Sequence, residues 1–169
     1  GIMCLAARQE TFNNVFLEDI ERLSSDKVPA VRFQILSNLS WLRLTAPDLM
    51  WSLVKYCSDK EDRIAILNAF FNRVLPYLPL EPNGPGMRAA EAIYRRIAHR
   101  EHAEPVRRAC ARYYMRAALW CDDKLAENTL QSFASNPVQF FDEVNSNINA
   151  CRDLLRLSDP RNSAEVNQR

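Results

Sequence analysis

Asp26-Lys27-Val28-Pro29-Ala30-Val31-Arg32-Phe33-Gln34-Ile35-Leu36-Ser37-Asn38-Leu39 is the stretch on which the fold turns. Pro29 suits a first helical turn, where its missing N–H is no loss and its fixed φ is already helical. Val31, Ile35, Leu39 and then Leu42 recur at helical spacing and give one apolar face. The pattern continues on both sides. Phe12, Phe16, Ile20 and Leu23 form a stripe before it, and Leu49, Met50, Leu53, Val54 and Cys57 one after it. Ile64, Leu67, Phe71, Val74 and Leu78 make a longer stripe that ends at a proline-rich loop, 79–86. Beyond the loop come Met87, Ala90, Ile93, Tyr94 and Ile97, then Val106, Ala109, Cys110, Tyr113, Ala117 and Trp120. A weaker helix carries Leu125, Leu130 and Phe133, and a closing one carries Val138, Phe141, Val144, Ile148, Cys151 and Leu155. No window sustains the period-two alternation of a half-buried strand.

Start signals fall between these stripes. Pro47, Pro105 and Pro137 each sit near a first helical turn, and Ser58 with Glu61 fits a capping box. Short polar connections force neighbouring helices to run antiparallel, which gives about four hairpins beginning near Thr11, Pro47, Gly86 and Asp122. The expected fold is therefore all-α, with one helical-repeat domain over 1–157 and a polar tail over 158–169.

With 169 residues and 47% hydrophobic content the chain is long enough to bury a core of its own. Its 22 Lys and Arg nearly balance 21 Asp and Glu, so global charge favours no class of partner. Cys4, Cys57, Cys110, Cys121 and Cys151 lack C-x-x-C spacing and read as reduced core thiols, which favours a cytoplasmic (intracellular) location. No window approaches a membrane span, and the start at Gly1 rather than Met reads as a piece of a larger protein.

The stretch from Asp26 resembles the HEAT-repeat pattern in Asp26, Val31, Arg32, Ile35, Leu36 and Leu39. A second copy runs from Glu101, with Glu for Asp, Val106-Arg107 in register and Cys110-Ala111 as the small pair. Asp59 and Ile64 keep a third, in which Ala65 replaces the Arg. The resemblance implies a right-handed stack of about four antiparallel hairpins, a HEAT-like superhelix. It also implies that the Arg of each copy reaches an acid of the adjacent repeat, a ladder that Ala65 would interrupt. Some alkylpurine DNA glycosylases use HEAT-like stacks, with Trp and Asp near the lesion. Trp41, Trp51, Trp120, Asp48 and Asp122 match that role by residue type only, and tryptophans more often anchor helix packing.

Catalytic, metal and cofactor residues are expected to be absent. His99 and His102 share a helix end with no third ligand, and Gly84-Pro85-Gly86 lacks the Lys and the preceding strand of a phosphate loop. The sharpest local feature is arginine. Arg108, Arg112 and Arg116 recur every fourth residue, and Arg96 and Arg100 form a shorter row before them. These five are the candidate partner-binding residues. One reading pairs them with Asp122, Asp123, Glu127, Asp142 and Glu143 of the next hairpin; the other offers them to an acidic protein segment or a phosphate backbone.

The expected function is a non-enzymatic protein-interaction scaffold that takes another protein or an acidic peptide; the alternative is a nucleic-acid-binding or DNA-repair module. Polar residues such as Asp142, Glu143, Asn145, Asn147 and Asn149 should cap the closing helix, so a monomer is expected. Val31, Ile35, Leu39, Ile64, Phe71, Val106, Cys110, Tyr113, Phe141 and Ile148 should be buried.

Overall fold

The computed structural model describes residues 2–3 and 14–157, with side chains described at 2–3 and 16–152; Cys4, Thr11, Phe12, the Leu155 side chain and the polar tail lie outside. Among the described residues from 14 onward eight α-helices follow in order: α1 (Asn14–Ser24), α2 (Pro29–Leu36), α3 (Pro47–Lys60), α4 (Ile64–Arg73), α5 (Pro85–Ile97), α6 (Glu104–Cys121), α7 (Lys124–Ser135) and α8 (Phe141–Leu157). Short 3-10 turns at Leu39–Leu42 and Leu75–Tyr77 follow α2 and α4, and no strand occurs among the described residues. Pro29, Pro47 and Pro85 open their helices, and Pro105 is the second residue of α6. Pro137 instead lies in the turn ahead of α8.

Two stripes that the apolar spacing runs together are each broken by local chemistry. After α2 the Asn38 amide donates to the Gln34 carbonyl at 2.8 Å, so a side chain competes for the helical backbone. After α4, Pro76 has no N–H for the Asn72 carbonyl, and the helix stops at Arg73. The expected capping box at Ser58 is not formed, because α3 runs on to Lys60. The Ser58 hydroxyl donates back to the Lys55 carbonyl, and Glu61 serves the following helix, accepting from the Asp62 and Arg63 N–H groups at 3.1 and 3.0 Å.

Helices two apart lie side by side. One row runs α1, α3, α5 and the other α2, α4, α6, α8, with α5 against α6 across the rows. Between them sits one core that includes Ile35, Leu39, Phe71, Val106, Cys110 and Tyr113, as the sequence predicts. Val31 and Ile64 are only half-buried, since each lies in the first turn of its helix. Gly86 lets α5 approach α6 closely: a Cβ there would stand 2.5 Å from the Tyr113 hydroxyl. Asp123 is fully buried between α6 and α7. Its Oδ1 accepts from the Ala126 N–H at 2.9 Å, capping α7, and its Oδ2 accepts from the Asn83 N–H at 2.7 Å, tying down the proline-rich loop.

The largest departure from expectation is α8. Phe141 and Ile148, expected in the core, are 66% and 61% exposed, while Glu143, Ser146 and Asn147 are buried. The helix is rotated so that its polar side meets α6, because α6 presents arginines there rather than an apolar ridge.

Candidate partner-binding site

The arginines do not form one open row. Arg108 sends Nε and Nη2 to Asp142 Oδ1 at 3.0 and 2.6 Å, and Arg107 sends Nη2 to Asp142 Oδ2 at 2.6 Å. Arg112 donates to Ser146 Oγ and to Asn72 Oδ1 at 3.3 and 3.0 Å. Arg116 donates to the Pro76 carbonyl at 2.6 Å, and its guanidinium lies 5.5 Å from the centre of the Trp120 ring. Arg96 reaches the Ser58 and Glu61 carbonyls at 2.9 and 2.6 Å, while Arg100 stands 3.8 Å from Asp62. Each of the five therefore touches another element, and the structure brings only Arg108 and Arg112 onto a common partner helix, α8.

Of the acids expected to meet them, Asp142 does so, while Glu143 takes Arg107 at 3.4 Å and the Tyr94 hydroxyl at 2.8 Å. Asp123 is engaged as a cap, and Glu127 pairs with Lys124 at 2.7 Å. The guanidinium of Arg108, helped by that of Arg107, holds the Asp142 carboxyl below the usual carboxylate range against the opposing effect of burial. Burial, reinforced by the charge of Arg108, pushes Arg112 below its ordinary value.

Arg32 and Arg107, the arginines of the two better pattern copies, behave alike. Arg32 donates to the Asp26 carbonyl just ahead of its own helix and to Glu61 beyond the end of α3 at 2.8 and 3.2 Å. Arg107 donates to the Ala98 carbonyl just ahead of its own helix and to Asp142 of α8. Where Ala65 leaves a gap, Arg96 from α5 supplies the contact to the α3 end.

Because α8 docks through Asp142, Glu143, Ser146 and Asn147, its Val144, Ile148 and Cys151 face α7 across a gap. The result is an open cleft of about 930 Å³ between α7 and α8, floored by Met115 of α6. Leu130, Phe133 and Ala134 line the α7 wall, and Val144, Asn147, Ile148 and Cys151 the α8 wall. Glu127, Gln131 and Arg152 are its polar lining. Asn147 is only 7% exposed, and its Oδ1 accepts no hydrogen bond from the described residues. Behind the cleft, Phe133 packs with Tyr94, Tyr114 and Phe140.

Of the tryptophans only Trp51 packs against the core. Trp41 is 48% and Trp120 62% exposed, and Trp51 is half-buried. Trp41 lines a hollow of about 400 Å³ with Asn38, Arg43, Arg73 and Tyr77, and Trp51 a separate one with Asp59 and Arg88. Neither hollow includes Asp48 or Asp122, and Trp120 lines neither. Among the described residues no cluster of three or more His, Cys, Asp or Glu side chains is placed to hold a metal ion, and no helix is long and apolar enough to cross a membrane.

Sequence reasoning missed the cleft, and the polar cap it expected on the closing helix is not formed by Asp142, Glu143 and Asn147, which turn inward against α6. One signal was available: Asp142 and Ser146 have the same four-residue spacing as Arg108 and Arg112, so the two helices match through polar faces. No family model, curated protein or solved structure matches the chain.

Proposed function

We propose that the chain is a non-enzymatic protein-interaction scaffold, part of a larger protein, built as a right-handed HEAT-like stack of four hairpins. The observation that carries this reading is the rotation of α8, which buries Glu143 and Asn147 and leaves Ile148 facing an open apolar cleft. Contiguous apolar surface of this kind marks binding sites on proteins otherwise surfaced by polar groups. The arginines support the same reading, since their donors are directed at neighbouring helices.

A second reading, nucleic-acid binding, is favoured by the hollow where Trp41 and Tyr77 stand with Arg43 and Arg73 and no carboxylate. Fluorescence anisotropy with labelled single- and double-stranded oligonucleotides at about 0.15 M salt separates the two. The scaffold reading expects no binding by the wild-type chain. Tight binding that weakens steeply with salt would overturn it in favour of the nucleic-acid reading.

A further inference from the structure

We infer that the cleft between α7 and α8 takes one amphipathic α-helix of a partner protein, with apolar anchors about a turn apart and a hydrogen-bond donor side chain among them. This rests on the scaffold reading and names the chemistry of its partner. The walls carry apolar side chains at helical spacing, Leu130, Phe133 and Ala134 facing Val144, Ile148 and Cys151. From Val144 to Arg152 the groove runs about 12 Å, two helical turns. An extended peptide finds no sheet edge to pair with there among the described residues. A helix satisfies its own backbone and offers anchors at i, i+3 or i+4, and i+7.

Polar groups narrow the occupant further. The connection 136–140 makes α7 and α8 antiparallel, so Glu127 and Arg152, both remote from it, stand at the open mouth. Glu127 is held by Lys124 at 2.7 Å, so the charge that a partner helix meets at the mouth is that of Arg152, which an acid on the helix complements. Asn147 adds a buried acceptor in the wall, and its terminal torsion is soft, so a small rotation turns Oδ1 into the cleft. A Ser, Asn, Gln or Lys side chain of the partner can donate to it; an ionised lipid carboxylate cannot.

A second copy fits less well. Two-fold pairing sets concave face against concave face, and a stable dimer needs about 800 Å² on each partner, more than two turns of groove provide. The tail over 158–169 offers only Ala164 and Val166 as apolar side chains.

The experiment is display selection of helical peptides of about 16 residues, roughly 24 Å long, against the full chain. Affinities of the selected peptides are then measured for the wild type, Ile148→Glu and Arg152→Glu. Ile148 and Arg152 are exposed, so both variants should melt as the wild type does. The expected result is selection of the i, i+3 or i+4, i+7 apolar pattern, an affinity loss of at least about tenfold with Ile148→Glu, and with Arg152→Glu a preference for a base where the wild type selects an acid. Should Ile148→Glu melt early, the Arg152→Glu preference alone decides, and an unchanged preference would count against the cleft. Peptides that bind wild type and both variants equally would overturn the cleft and leave the scaffold reading standing. Failure to select any peptide would overturn both. A dimer in sedimentation that Ile148→Glu dissociates, or decanoate bound where no peptide is, would replace the partner helix with a second copy or a lipid.

Discussion

Two guanidiniums converge on the Asp142 carboxylate, and one of them, from Arg108, is about half exposed. Because the folded-state pKa of Asp142 is lowered, its contribution to stability is present at neutral pH. It is lost as pH falls below the unfolded value of about 3.9 and through the folded one. Asp142→Asn should therefore cost about 1 to 2 kcal/mol at pH 7, after discounting for the exposure of Arg108. Urea midpoints of wild type and variant should converge as the pH is lowered towards 3; a gap that stays constant would show that the carboxylate's charge is not what matters. Leu39 tests the core in the same way. It is fully enclosed, and Leu39→Ala should cost about 2 to 5 kcal/mol, read as a lower melting temperature. Leu39 and Cys110 were legible in the sequence because an apolar face has a period. Glu61 and Asp123 were not, since which N–H a carboxylate will meet depends on where the next helix starts.

Among the elements, α5 and α6 come especially close where Gly86 stands against Tyr113. Alanine is the better helix former by about 1 kcal/mol, yet its methyl would meet a rigid, buried ring hydroxyl. Gly86→Ala should lower stability by about 1 to 3 kcal/mol, the usual range for an overfilled core. Adding Tyr113→Phe, which removes the oxygen in the way, should recover much of the loss in a double-mutant comparison; additive losses would place the strain elsewhere. Element type was legible throughout, while the ends of α2 and α4 were not, because Asn38 and Pro76 act through single hydrogen bonds that leave the apolar spacing intact. The register of α8 was misread for a different reason. Its apolar stripe from Val144 to Cys151 is genuine, but burial is decided by what the facing helix offers, and α6 offers Arg107, Arg108 and Arg112.

For the whole molecule, these arginines act as ties between helices, so removing them should loosen the packing of those helices rather than clear a binding surface. The triple change Arg108→Gln, Arg112→Gln, Arg116→Gln keeps length and helix propensity. It should lower the melting temperature by several degrees, and preferentially release α8, whose amides should exchange faster with solvent deuterium. An unchanged melt, with protection in α8 intact, would mean that the ties carry no weight. Of the cleft, the sequence shows the apolar residues Leu130, Phe133, Val144, Ile148 and Cys151, but none of the five arginines lines it, and its opening comes from a helix rotation that no single segment encodes. The placement of the aromatic rings has a practical corollary. Indoles 41 and 120 are 48% and 62% exposed and Trp51 packs half-buried against the core, whereas the phenols of Tyr94, Tyr113 and Tyr114 are packed among other rings. Of the three tryptophans only Trp51 should shift its emission appreciably to the red on denaturation, so near-ultraviolet circular dichroism of the tyrosines is the stronger optical signal of core loss.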